Sequence, residues 1–288
     1  SLSNVKPEVE DEAAIEKMIN DGADLIFVTS PAMTMASVKM AIAHPEVKIL
    51  NCSLNTSHKY IRTYYARMYE AKFLTGVLAG ALSNQDKIGY VAQYPVYGAV
   101  ANINAFAMGA KFVNPRAKVY LAWSSMKDVN VEDVFKKNDI RYISDQDMIT
   151  PQCSSRKFGL YNNEGVGNRQ HIAMPVWHWG MFYEKLIQSI LSGSWKYDES
   201  TDNVKALNYW WGMSADVIDV ICSKYLPIGT ARLIDLLKET IRSDTFNPFS
   251  GVLYSQNGIV QKDEEKVLNP EEIITMNWLA ENVIGTLP

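Results

Sequence analysis

Gly22-Ala-Asp-Leu25-Ile-Phe-Val-Thr29-Ser30 is the stretch from which the fold can be read. Leu25 to Thr29 is a short, β-rich apolar run. It follows an amphipathic stretch from Glu8 to Asn20, and Asp21-Gly22 supplies the helix stop between them. The same unit recurs downstream. Apolar runs open at Lys48 to Asn51, Lys87 to Ala92 and Lys118 to Trp123, and helical patterns fill Met33 to Ala43, Tyr64 to Leu82 and Gly98 to Phe112. Strands that are apolar throughout need cover on both faces, so the alternation predicts an α/β protein built on doubly wound parallel sheets.

After residue 124 the rhythm loosens. A short helix is expected at Val131 to Lys137, short strands at Arg141 to Ser144 and Phe158 to Tyr161, a strand at His171 to Trp177 and a helix at Trp179 to Leu191 closed by Gly193. Lys205 to Val220 reads as extended and aromatic-rich, Thr230 to Arg242 as a helix, Asn257-Gly258 as a hairpin turn, and the tail EEIITMNWLAENV as a closing helix. A regular pattern that breaks and resumes predicts two lobes sharing three crossovers, placed at Gln93 to Gly98, Met174 to Gly180 and Asn208 to Met213, each with aromatics beside Pro or Gly. Lobe one is then residues 1–95 with 176–207, and lobe two 96–175 with 208–288. A length of 288 residues agrees with two lobes.

Composition removes several classes. The chain is 47% hydrophobic and 21% charged with a net charge of −4, and no Lys/Arg block exceeds two residues, which argues against a nucleic-acid surface. No run of about 18 apolar residues is present, so no helix is expected to span a bilayer. The opening SLSNVKPEVEDEAAIE is polar and acidic, without a basic-then-apolar leader. Cys52, Cys153 and Cys222 lack C-x-x-C spacing and read as small core residues, with only Cys153 expected to be exposed.

No catalytic or metal set emerges. The four histidines, His44, His58, His171 and His178, include no i, i+4 pair, and neither a phosphate loop nor a G-x-S-x-G is present. Ser154-Ser-Arg-Lys157 fits S-x-x-K, a pattern that two fixed positions produce readily by chance. Gly76-Val-Leu-Ala-Gly80 reads as a close contact of helix on sheet. No cofactor and no metal are expected. The chemistry that remains belongs to binding. Asp145 and Asp147 follow a strand end and could accept hydrogen bonds from sugar hydroxyls or amines, or could simply cap a turn. Ser30 and Asn55 also follow strand ends. Tyr94, Trp177, Trp179 and Trp210 lie at the expected crossovers, where a planar ring could stack on them or where they simply pack the hinge.

Several runs together resemble a known family. Gly22 to Ser30, Tyr64 to Gly80 (YYARMYEAKFLTGVLAG), Lys87-Ile-Gly-Tyr-Val91, Asn104 to Ala110 with Asn114-Pro115, Pro175-Val-Trp-His-Trp-Gly180 and Met276 to Gly285 look, in this order, like the basic membrane protein family, the substrate-binding lipoproteins of ABC transporters. The resemblance implies a two-lobed type I periplasmic-binding fold that closes on a purine nucleoside or base, without catalysis. It implies an ABC transporter permease as partner and attachment to the extracytoplasmic face of the cell membrane through an anchor not contained in this chain. A ligand-sensing regulatory domain of the same fold, within a longer and cytoplasmic protein, is the alternative. Relative to the family pattern, SLSNV resembles the end of a second strand, so the first strand of lobe one is expected to be missing and the chain to be part of a longer one. Tyr161-Asn-Asn-Glu164 stands where many members carry an aspartate-rich strand end, which adds Asn162 and Glu164 as polar candidates.

Overall fold

The computed structural model of the protein describes residues 11–53, 60–126, 130–147, 157–163, 169–193 and 208–288. The chain divides into two compact units, residues 1–66 with 183–210 (unit 1) and residues 67–182 with 211–288 (unit 2).

Unit 1 begins with α1 (Asp11–Asn20), β1 (Leu25–Val28), α2 (Thr34–Ala43), β2 (Lys48–Asn51) and β3 (Ile61–Ala66). Leu25 to Val28 pairs in parallel with Lys48 to Asn51, and β2 in parallel with β3. Alternate residues of β1, Ile26 and Val28, turn inward to pack on Ile15 of α1 and on Ala36, Met40 and Ala41 of α2. Each such aliphatic side chain withdrawn from water contributes about 1.5–3 kcal/mol.

Unit 2 opens with α3 (Met68–Leu82), β4 (Lys87–Ala92), α4 (Ala99–Val113), β5 (Lys118–Trp123), α5 (Val131–Lys137), β6 (Tyr142–Ser144), β7 (Leu160–Asn163) and β8 (Arg169–Trp177). Helix α6 (Trp179–Leu191) and strand β9 (Tyr209–Trp211) carry the chain across the later divisions. Unit 2 then closes with β10 (Ile218–Cys222), α7 (Ile228–Arg242), the hairpin β11 (Leu253–Ser255) and β12 (Gly258–Gln261), α8 (Pro270–Ile274) and β13 (Val283–Ile284). Among the described residues the first sheet has the order β1-β2-β3-β9 and the large sheet β10-β8-β7-β6-β4-β5-β13. The large sheet is mixed. Strands β6, β4, β5 and β13 run parallel, whereas β7 is antiparallel to both β6 and β8, and β10 is antiparallel to β8.

Three expectations change. Strand Lys87–Ala92 lies in the large sheet of unit 2, so the first division falls at Ala66 and Arg67 and not at residues 93–98. The cause is Ile61 to Ala66, whose last three residues the helical pattern had absorbed. They continue a strand whose first half, Ile61 to Thr63, pairs with β2 and which lies between β2 and β9 in the sheet. The tail is likewise no single helix. After Ile274 the chain runs extended to β13, because Asn104 captures its backbone: the amide donates to Trp278 O at 2.7 Å and accepts from Ala280 N at 2.8 Å. Gly76 and Gly109 serve a contact of helix on helix, not helix on sheet. A Cβ at Gly76 would overlap the carbonyl oxygen of Phe106, and one at Gly109 that of Phe73.

Helix α3 is buried from Met68 through Gly80. It begins immediately after the first division, where Arg67 N–H donates to Trp211 O at 2.8 Å. Three residues on, the buried Glu70 carboxylate accepts Met213 N–H at 2.7 Å and faces Arg67 at 3.6 Å. The two segments of unit 2 that follow the first and third divisions are therefore stitched together.

Candidate functional site

In parallel sheets ligands collect at the carboxyl ends of the strands. In unit 1 that end carries a neutral, closed network. Asn51, fully buried as the last residue of β2, donates to Ser30 O at 3.2 Å and to Ser37 Oγ at 3.3 Å, and accepts from Thr34 Oγ1 at 3.0 Å. Half-buried Ser30 precedes the turn Pro31–Met33, and its hydroxyl makes no capping bond there. Beside this network Phe27, Tyr64 and Tyr183 form an aromatic group. Tyr64 and Tyr183 share a hydroxyl contact of 3.2 Å, and the rings of Phe27 and Tyr183 are 4.7 Å apart. Burial pushes the Tyr64 hydroxyl up, and raises the neighbouring Cys52 thiol to about 12. Trp210 is half-buried in β9.

Unit 2 places charge at the same position. Ser144 ends β6, and Asp145 and Asp147 follow it. Lys72, on the fully buried face of α3 and only 2% exposed, reaches into this corner. Its ammonium bonds Asp147 Oδ1, lies 3.3 Å from Ser144 Oγ, and sits 5.1 Å from the ring centroid of Tyr90. The Asp147 side chain is 18% exposed, and among the described residues its Oδ2 has no hydrogen-bond partner. Burial pushes the Asp147 carboxyl up while the adjoining Lys72 pulls it back down. Asp145 accepts its neighbour's N–H (Gln146, 2.8 Å) and the Tyr161 hydroxyl at 3.4 Å. Burial raises it too, against the pull of that N–H, Lys157, Tyr161 and Lys72.

The tryptophans frame this end. Trp177 closes β8 opposite Ile218, half-buried, and its buried Nε1 has no hydrogen-bond partner among the described residues. Trp179 packs edge-on against Phe182 at 5.8 Å, and Phe182 lies 4.9 Å from Trp211. Tyr94, in the loop after β4, is 55% exposed. Asn162 is not in this group. Its partner is Tyr142, itself level with Ile88 near the start of β4, so Asn162 sits at the opposite end of the sheet from Asp145 and Asp147. The antiparallel course of β7 inverts which end its last residues reach. Asn55, Cys153, Glu164 and the serines of Ser154-Ser-Arg-Lys157 lie outside the described residues. Among the described residues no three His, Cys, Asp or Glu side chains gather to hold a metal ion.

Lys72 was not foreseen, although a signal for it exists. From Ala71 to Gly80 the helix is apolar or small on every side except for Lys72 and Thr75, and a helix apolar all round is buried. A lysine inside such a run needs an acidic partner.

The profile of the Bmp family, described as ABC transporter substrate-binding protein PnrA-like, matches residues 2–163. The chain belongs to this family. Its members bind small molecules as the substrate-binding components of ABC transporters. Among curated relatives, a purine-binding protein of Brucella abortus is 26% identical over 303 residues, spanning 100% of this chain and 83% of that protein. A Haloferax volcanii protein described as an ABC transporter glucose-binding protein is 25% identical over 224 residues, covering 72% of this chain and 54% of its own length. Two solved structures share the fold. A transcriptional activator of the comK gene from Bacillus halodurans superposes with a TM-score of 0.64 at 13% identity, covering 85% of this chain and 87% of that one. An ABC transporter solute-binding protein from Conexibacter woesei gives 0.56 at 14% identity, with 83% of each chain covered. These likenesses and the α/β architecture agree with the two-lobed fold expected of the family. Among the described residues no helix is long and apolar enough to cross a membrane.

Proposed function

We propose that the protein binds a purine base or nucleoside and delivers it to the permease of an ABC transporter at the extracytoplasmic face of the membrane. The observation that carries this reading is the likeness to the Brucella abortus purine-binding protein, which runs the whole length of the chain. The strand-end chemistry supports it. A purine offers a planar face, ring N–H donors and ring acceptors. Unit 2 offers carboxylate acceptors at Asp145 and Asp147, the Nε1 donor of Trp177, which has no partner among the described residues, and the aromatic faces of Trp177 and Trp179. Ser30 and Trp210 of unit 1 offer a hydroxyl and an indole of their own, and in unit 2 the exposed Tyr94 is able to cover a bound ring.

Glucose is the competing ligand, because carboxylates and indoles also bind sugars, and the Haloferax relative carries that description. Calorimetric titration of the full chain with purine bases, nucleosides and glucose separates the two. Saturable heat with purines and none with glucose is expected; heat with glucose alone, or none with any purine, would sink the proposal. The alternative, a ligand-sensing regulatory domain, draws support from the Bacillus halodurans likeness, which is one of fold.

A further inference from the structure

The corner around Lys72 has a feature that fold stability does not explain. A lysine buried at 2% exposure loses its hydration, and a buried ion pair gains little over well-packed apolar residues of similar volume. The three donors of the Lys72 ammonium are nevertheless used in full: one on Asp147 Oδ1, one toward Ser144 Oγ at 3.3 Å, and one over the Tyr90 ring at 5.1 Å. Lys72 therefore has nothing left to give a ligand. Asp147 does, since its side chain is partly exposed and its second oxygen is unbonded among the described residues. A carboxylate held in this way only accepts.

We infer that Lys72 is a positioning residue for the ligand: it anchors Asp147 by one oxygen and leaves the other to accept, so that this end of unit 2 selects a purine edge presenting a ring N–H, a 6-oxopurine over a 6-aminopurine. The inference rests on the purine reading above. Hypoxanthine and guanine carry a proton on N1, which a carboxylate oxygen accepts. Adenine presents a lone pair there, and two acceptors facing one another leave a buried polar group unsatisfied, a mismatch that discriminates strongly.

Among the described residues, the charged and titratable groups around Asp147 are Lys72 from α3, Tyr90 from β4 and, after β6, Asp145, which itself feels Lys157. Burial favours the protonated form of Asp147 and Lys72 opposes it. Without the ammonium only the upward push of burial remains, and on taking up a proton as pH falls Asp147 would become a donor as well as an acceptor, able to pair with adenine.

The test is the ratio of hypoxanthine to adenine affinity from pH 5.5 to 8.5, measured by calorimetry on the full chain, with thermal melts as a folding control. In the wild type the ratio is expected to exceed about tenfold, the discrimination one well-placed hydrogen bond supplies, and to stay flat. In Lys72→Met it should collapse toward one as pH falls, whereas Lys72→Arg should keep the wild-type ratio. If Lys72→Met fails to fold, the neutral pair Lys72→Met with Asp147→Asn is the substitute, expected to bind both bases alike at every pH. Purine binding by the wild type with the same flat ratio in Lys72→Met, or a preference retained by the neutral pair, overturns this inference alone. No binding of either base by the wild type overturns it together with the purine reading.

Discussion

At the end of β2, Asn51 ties three neighbours together through neutral hydrogen bonds. At the end of β6, Asp147 is tied by a buried ammonium and keeps an oxygen to spare. The two sheet ends occupy equivalent places in their units but differ in kind. The unit 1 network satisfies itself, so its role is to shape a surface, and losing any one member removes hydrogen bonds without stranding a charge. In unit 2 the polar groups are partly unsatisfied by the protein: the second oxygen of Asp147 and the indole N–H of Trp177 both lack partners among the described residues. Groups left in that state are what a ligand would complete.

The contrast can be broken most forcefully at Lys72. Lys72→Ala strands a buried carboxylate and is expected to lower stability by about 3–5 kcal/mol in urea unfolding at pH 7. The loss should shrink as pH falls, because burial raises the Asp147 carboxyl and its protonated form is cheaper to bury; an equal loss at pH 7 and pH 5 would show that the pair is not electrostatic. Next in size is Gly76→Ala, whose methyl meets the carbonyl of Phe106 where α3 crosses α4. About 3 kcal/mol is expected from overpacking, without the pH dependence. Asn51→Ala should cost about 2 kcal/mol, also independent of pH, because a neutral network is lost. A pH-dependent loss at Asn51 would erase the distinction between the two units.

The most gradual effect concerns Glu70, where burial raises the carboxyl from 4.5 to about 7, opposed by the Met213 N–H and Arg67 and reinforced by Asp244. Since the folded-state value is the higher one, the contribution of Glu70 to stability is complete below about 4.5 and is lost as pH rises through about 7. Glu70→Gln keeps an acceptor for Met213 N–H but cannot ionise. Relative to this variant the wild type should lose up to about 1.4 kcal/mol per pH unit between those values. A constant difference across that range would mean that Glu70 titrates normally.

The strands at Lys48–Asn51, Lys87–Ala92 and Lys118–Trp123 were legible to the residue, as was the helix Trp179–Leu191, because a continuous apolar run bounded by turn residues is a local signal. What was hidden depended on distant partners. No Gly or Pro separates Ile61–Ala66 from α3, so only its place between β2 and β9 declares it a strand. The tail from Met276 looks helical until Asn104, far back in the sequence, takes its backbone. In the candidate site Asp145 and Asp147 were found because they follow a strand end. Asn162 was placed beside them because nothing in Leu160–Asn163 reveals that its strand runs the other way. Lys72 was passed over although it stands in an otherwise apolar or small run from Ala71 to Gly80, and the burial of that whole helix makes it exceptional.

The account is tested most directly by calorimetric titration of the full chain with hypoxanthine, adenine and glucose at pH 7.5. It predicts saturable binding of hypoxanthine, weaker binding of adenine and no heat with glucose. Binding of glucose with no response to either base would contradict it.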